Sequence, residues 1–125
     1  MARRKRAQLA PADELQSMER ALDLYLESCY RRRERAEVTE FARTLGLARQ
    51  YVNRRITSLT GDSVLSFIRR KQLQHAKQLL LTTDLPVEQV GILSAFGSGW
   101  TFHRLFKAAF GMTPGQFRNE GTKHE

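Results

Sequence analysis

Cysteine is almost absent from this chain: Cys29 is the only one in 125 residues. A lone thiol cannot close an internal disulfide, and with His75, His103 and His124 scattered along the sequence no metal-ligand spacing arises. Cys29 falls on an apolar stripe, where a buried small hydrophobe is the expected role. Acid is scarce beside base, 13 Asp and Glu against 21 Lys and Arg, and the resulting net charge of +8 points to a polyanionic partner. No apolar run is long enough to span a bilayer, and Met1-Ala2-Arg3-Arg4-Lys5-Arg6 lacks the apolar segment of a secretory signal, so a cytoplasmic place is expected and no membrane partner. Alternating strand patterns are missing, and every apolar run has helical period. There is no carboxylate pair, Gly-rich phosphate loop or nucleophile with a base, so neither catalysis nor a cofactor is expected.

What is present is a repeat. The stretch from Val38 to Arg69 returns loosely from Val87 to Arg118: Phe41-Ala42 is answered by Val90-Gly91, Val52 by Phe102, Arg54 by Arg104, Ile56 by Phe106 and Gly61 by Gly111. The offset grows from 49 to 50, which places one extra residue between Phe96 and Thr101, at a turn between two helices. Two copies of a helix-turn-helix follow. In the first, Val38, Phe41, Ala42 and Leu45 make one apolar face and Gly46 permits a sharp stop. A second helix then runs from about Arg49 to Ser58, with Val52 and Ile56 inward and Gln50, Asn53, Arg54 and Thr57 outward. The second copy opens at Asp84-Leu85-Pro86, a helix start. Val87, Val90 and Gly91 line its buried face, and the smallness of Gly91 lets two helices cross closely. Phe96 to Gly99 makes the turn, and Trp100 to Phe110 forms the outward helix, with Phe102, Leu105 or Phe106, and Ala109 available to the core.

Two further helices frame the copies. Leu15, Met18, Leu22, Tyr25 and Cys29 predict an amphipathic helix from about Ala12 to Tyr30. A long helix from about Ser63 to Leu81 joins the copies, burying Leu65, Ile68, Ala76, Leu79 and Leu80. At ~1.5 Å per residue it spans nearly 30 Å, close to one turn of B-DNA. The organisation is thus all-α: a disordered basic arm (1–11), a first lobe with its leading helix (12–62), the connecting helix (63–81), a second lobe (82–119) and a flexible tail (120–125). The arginine run Arg31-Arg32-Arg33-Glu34-Arg35 reads as a loop before the first copy, either solvated or against DNA.

Ala42 to Gly61, Ile68 through Ala76-Lys77-Gln78-Leu79-Leu80, and above all Ala95-Phe96-Gly97-Ser98-Gly99-Trp100-Thr101-Phe102-His103-Arg104-Leu105-Phe106-Lys107 with Gly111-Met112-Thr113-Pro114-Gly115-Gln116-Phe117-Arg118 resemble the AraC/XylS transcription regulators. The resemblance implies about seven helices, two helix-turn-helix lobes on a rigid bridge, and binding to asymmetric sites in bacterial promoters. It departs from the family pattern at Ala95, where glycine is usual, so that either Ala95 takes a strained backbone or Gly97 has taken over the turn. It departs again at Gln72, often arginine, which puts a phosphate or helix-bridging contact there in doubt. The effector-binding and dimerising domain of larger members has no counterpart here, so the chain resembles small stand-alone members that act as monomers, or a fragment of a larger effector-responsive regulator. No small-molecule effector site is expected in it.

Carried over by position, the base-reading candidates are Gln50, Asn53 and Arg54 in the first lobe and Gly99, Trp100, His103 and Arg104 in the second. Gln and Asn can pair with adenine and Arg with guanine. For Trp100 the competing reading is a cap on its lobe's core. Arg49, Arg55, Thr57, Ser98, Thr101 and Lys107 are candidate phosphate contacts. The main function expected is a sequence-specific transcription regulator of the bacterial nucleoid, with double-stranded DNA as partner. A helical adaptor for a protein such as RNA polymerase is the alternative. Some DNA-repair alkyltransferases join a domain of this family to cysteine chemistry, for which a single buried Cys29 is ill suited.

Overall fold

The computed structural model describes residues 10–123, and the basic run Arg3-Arg4-Lys5-Arg6 lies outside them. Among the described residues there are seven helices and no strand: α1 (Pro11–Arg32), α2 (Val38–Leu45), α3 (Arg49–Thr60), α4 (Val64–Thr82), α5 (Val87–Leu93), α6 (Gly99–Phe110) and α7 (Pro114–Lys123). The first helix is longer than its periodicity suggests. Arg31 and Arg32 form its last turn and Arg33 ends it in a left-handed conformation, so the arginine run expected as loop is half helix. Basic side chains in that last turn oppose the partial negative charge of the helix C-terminus. At the other end of the chain, α7 carries residues 120–123 in helical form, where a flexible tail is expected from residue 120.

The turn that closes the first helix is built from the same pair of hydrogen bonds in both copies. Gly46 donates to Arg43 O and Leu47 to Ala42 O, and in the second copy Ala95 donates to Ile92 O and Phe96 to Gly91 O. These paired bonds satisfy the last carbonyls of each helix and demand a left-handed residue at the first position. Gly46 sits at φ 68° and Ala95 at φ 67°. Both alternatives for the second turn are therefore realised: Ala95 closes α5 at the cost of a left-handed Cβ, and Gly97, at φ 85°, is the extra residue that lengthens the turn. Each copy then starts its next element with a hydroxyl cap, Ser63 Oγ accepting from Ser66 N and Thr113 Oγ1 from Gln116 N, both at 3.1 Å.

The lobes have separate cores that share α4. Leu22, Leu26, Phe41, Val52, Ile56, Phe67 and Ile68 belong to the first, with Ala95 reaching in from the second copy. Leu73, Ala76, Leu80, Val90, Phe96, Phe102 and Phe106 form the second. Within it the rings of Phe96, Phe102, Phe106 and Phe117 stand 5.2–5.6 Å apart in sequence of contact, tilted or edge to face. Two expected core residues lie outside. Leu65 is 46% exposed, because Val64, Phe67 and Ile68 define the inward side of α4 at that end and put position 65 about 100° away. Ala109 is exposed, facing a groove beside Ser66, Arg69 and Arg70 instead of a packed neighbour.

Gln72 is wholly buried where α4 passes the second turn. Its Nε2 donates to Ser94 O at 3.1 Å and to Ala95 O at 2.8 Å, and its Oε1 accepts from Arg69 Nη1 at 3.2 Å. The helix-bridging contact doubted on sequence is made by the glutamine. Ala95 O also accepts from Ala36 N of the first lobe at 3.0 Å. Nearby, Tyr30 stacks on His75 with ring centroids 3.7 Å apart, and His75 Nδ1 lies 3.0 Å from Ser94 Oγ. Burial pushes His75 below the usual histidine range.

Candidate nucleic-acid interface

The second helix of each copy, α3 and α6, is amphipathic in a way that leaves chemistry outward. Val52 and Ile56 are fully buried, and Phe102 and Phe106 match them in the other lobe. Gln50, Arg54 and Thr57 are exposed on α3, as are His103, Arg104 and Lys107 on α6. Neither helix contains an acidic residue. A reading helix without carboxylates avoids repulsion from the phosphates flanking a groove.

Trp100 is 72% exposed, so it does not cap its lobe's core. The Arg104 guanidinium lies 5.3 Å over its ring, a cation–π contact between two exposed side chains four positions apart on α6. Gly99 has a packing reason for being small: a Cβ there would stand 2.9 Å from Glu88 Cγ and 3.2 Å from Glu88 Cα, on the first helix of the same copy. Gly91 is more constrained still. A Cβ on it would come within 2.6 Å of Phe102 Cβ, which is the close helix crossing expected from the sequence.

Other candidates have partners inside the protein. Asn53 is exposed, but its Oδ1 accepts from Val64 N at 3.1 Å, so it caps the start of α4 across the lobe. Arg55 turns toward α1, where its Nε and Nη2 donate to the Glu14 carboxylate at 2.9 and 2.5 Å. That hydrogen bond and the arginine charge hold the Glu14 carboxyl below its usual range against its own partial burial. Ser98 Oγ caps α6 by accepting from Thr101 N at 3.1 Å and donates to Thr101 Oγ1 at 3.0 Å. Arg49 is exposed and donates to Thr39 Oγ1 at 3.4 Å.

Sequence reasoning passed over Arg69, on α4 and half-buried, whose guanidinium lies 5.5 Å above the Phe96 ring. Its spacing of three from Gln72 on one helix face was the available signal. No described residues form a group of His, Cys, Asp or Glu able to hold a metal ion, and none of the helices is long and apolar enough to cross a membrane. Cys29 is buried, and burial pushes its thiol up from the ordinary value, away from reactivity.

Residues 41–120 match a helix-turn-helix domain family. The chain belongs to the AraC/XylS-type helix-turn-helix family. It is similar to the probable transcription factor PqrA of Proteus vulgaris, 28% identical over 98 residues that cover 78% of this chain and 80% of that protein. It is also similar to the transcriptional activator NphR of a Rhodococcus species, 30% identical over 83 residues, 66% of this chain but 24% of NphR. Against the xylose operon regulatory protein of Escherichia coli strain K12 it spans 21% of that protein's length. Among solved structures, the DNA-binding domain of AdpA in complex with a target DNA has a TM-score of 0.75 at 24% identity, covering 86% of this chain and 95% of that one. An AraC-type regulator from Chromobacterium violaceum has a TM-score of 0.71 at 22% identity over the same shares. The AraC family is one of DNA-binding transcription regulators, which are generally not enzymes.

Proposed function

We propose that this chain binds promoter DNA as a monomer and reads it with α3 and α6 in successive major grooves, acting in the cytoplasm of a bacterium. The observation that carries the reading is the doubled unit itself. Two helices with buried faces of the same register each present base-competent side chains outward, at the two ends of one connector of 19 residues, about 28 Å at ~1.5 Å per residue. Successive major grooves on one face of B-DNA are ~34–36 Å apart, a separation that a connector of this length with a lobe at either end can bridge.

Gln50 and Arg54 are the base readers of the first lobe, and Trp100, His103 and Arg104 those of the second. Asn53 reads a base only by leaving its cap on α4, so its part is secondary. Arg49, Thr57, Thr101 and Lys107 contact phosphates. Arg55 serves the fold through Glu14, and the Ser98 hydroxyl serves as the cap of α6. Because the two reading helices carry different side chains, the two halves of the site are unlike each other.

The test uses a duplex selected by the purified protein from a random-sequence pool. Analytical ultracentrifugation should give one chain per minimal site; two chains would refute the monomer. Inserting five base pairs between the two elements turns one by about half a helical turn and should reduce binding to that of a single lobe. Affinity surviving the insertion would refute the bipartite mechanism.

A further inference from the structure

Two arginines from different elements flank the turn at which the lobes meet, Arg69 over the Phe96 ring and Arg35 beside Gly97. Arg69 comes from α4, and Arg35 from the segment between α1 and α2, where its side chain runs past Gly97 so closely that a Cβ there would lie 3.0 Å from Arg35 Cδ. The charges of Arg104 and Arg35 both act on Arg69. Burial first, and then these two charges, lower its affinity for its proton. Arg35 is partly balanced by Glu37, 2.6 Å away. The next two residues of α4 are balanced too, Arg70 by Asp62 at 2.7 Å and Lys71 by Asp23 at 3.2 Å. Arg69 has no carboxylate within ion-pair distance among the described residues.

A half-buried cation crowded by like charge is a costly thing to keep unless an anion comes to it. Arg69 is also held ready. Its guanidinium lies over the Phe96 ring, and its Nη1 is fixed by Gln72, itself bonded to two carbonyls of the turn. The remaining N–H groups of this planar fork make no hydrogen bond within the described residues, and such a fork suits a phosphate.

We propose that the cleft between the lobes is a phosphodiester-binding site, with Arg69 at its centre and Arg35 at its rim, gripping the DNA backbone between the two elements read by α3 and α6. The inference rests on the DNA-binding reading above and adds a contact to it. With the two reading helices in successive major grooves, the strands that border the intervening minor groove face the connecting helix, and of the three consecutive cations Arg69, Arg70 and Lys71 on that helix Arg69 is the one with no acid of its own among the described residues. The site carries no sequence information; it fixes register and spacing.

Binding of the selected duplex and of a random duplex is measured from 50 to 200 mM salt for the native chain, Arg69→Gln and Arg69→Lys. Arg69→Gln should weaken both duplexes roughly tenfold, as expected for one charged hydrogen-bonded contact, and lower the salt slope by about 0.9. Arg69→Lys should keep the native slope. An unchanged slope in a folded Arg69→Gln protein would overturn the site. Since Gln72 leans on Arg69, a second measurement leaves the protein native: single neutral methylphosphonates are placed in turn at the phosphates between the two elements. Binding should fall at one or two of those positions, and no fall at any of them would overturn the site as well. Failure of the underlying reading looks different, for then the native chain would not prefer the selected duplex over the random one at any salt.

Discussion

Gln72 Nε2 donates to Ala95 O at 2.8 Å, joining the middle of the connecting helix to the one non-glycine residue that turns a reading unit in the left-handed conformation. The bond crosses 23 positions of sequence and is wholly buried. Replacing Gln72 by Leu keeps the volume close but deprives buried carbonyls of their donor. We expect a loss of about 1–3 kcal/mol in chemical denaturation. A loss under about 0.5 kcal/mol, the range of ordinary surface changes, would show the bridge to be dispensable.

Gly91→Ala tests the crossing of α5 and α6. The new methyl would meet Phe102 Cβ at 2.6 Å, and Phe102 is itself locked between Phe96 and Phe106. Overpacking of this kind costs about 1–3 kcal/mol, read as a lowered Tm. An unchanged Tm would mean that the second lobe yields at its tightest point.

Much of this was legible in the sequence, and the limits have physical causes. Periodicity and the placing of Gly46, Gly61, Pro86 and Gly111 locate the first six helices to within a few residues, because caps and turns are local chemistry, while the bounds of α7 were not read from the sequence. The offset change between the copies locates the extra residue between Phe96 and Thr101 for the same reason. Partnerships made across the fold are another matter. Asn53 and Arg55 look like two neighbours on one polar face, yet Val64 claims one and Glu14, 41 positions away, claims the other. Exposure at Leu65 escaped because an apolar residue beside an apolar stripe has no local mark to set it apart.

Arg104→Ala should weaken binding to the selected duplex by about 1–3 kcal/mol while leaving random DNA nearly unaffected, since a base contact is lost with one charge. Lys107→Ala should weaken both and lower the salt slope by about one. Filter binding on the two duplexes separates the roles, and equal losses for Arg104→Ala would remove it from the base-reading set.

The Glu14–Arg55 pair gives stability a pH dependence of known sign. The folded Glu14 carboxyl lies below its ordinary value, chiefly through its hydrogen bond to Arg55, so its contribution is present above an unfolded pKa of about 4.3 and fades as pH falls through the lower folded value. The Tm difference between the native chain and Glu14→Gln should be steady from neutral pH to about 5 and should narrow below that. Arg55→Ala should lower Tm at neutral pH and leave the salt slope of DNA binding unchanged. A reduced slope would return Arg55 to the phosphate contacts.

Ala95 packs in the first core while Phe96, the very next residue, packs in the second. A peptide bond thus spans two hydrophobic interiors, each too small to be secure alone. The second lobe cannot open without pulling Ala95 out of the first and stripping the Ala36 amide of its acceptor. Melting is therefore a shared event, seen as one calorimetric transition in place of two. DNA seated against either lobe will slow amide exchange in the other, because the ligand raises the free energy of the only opening available to both.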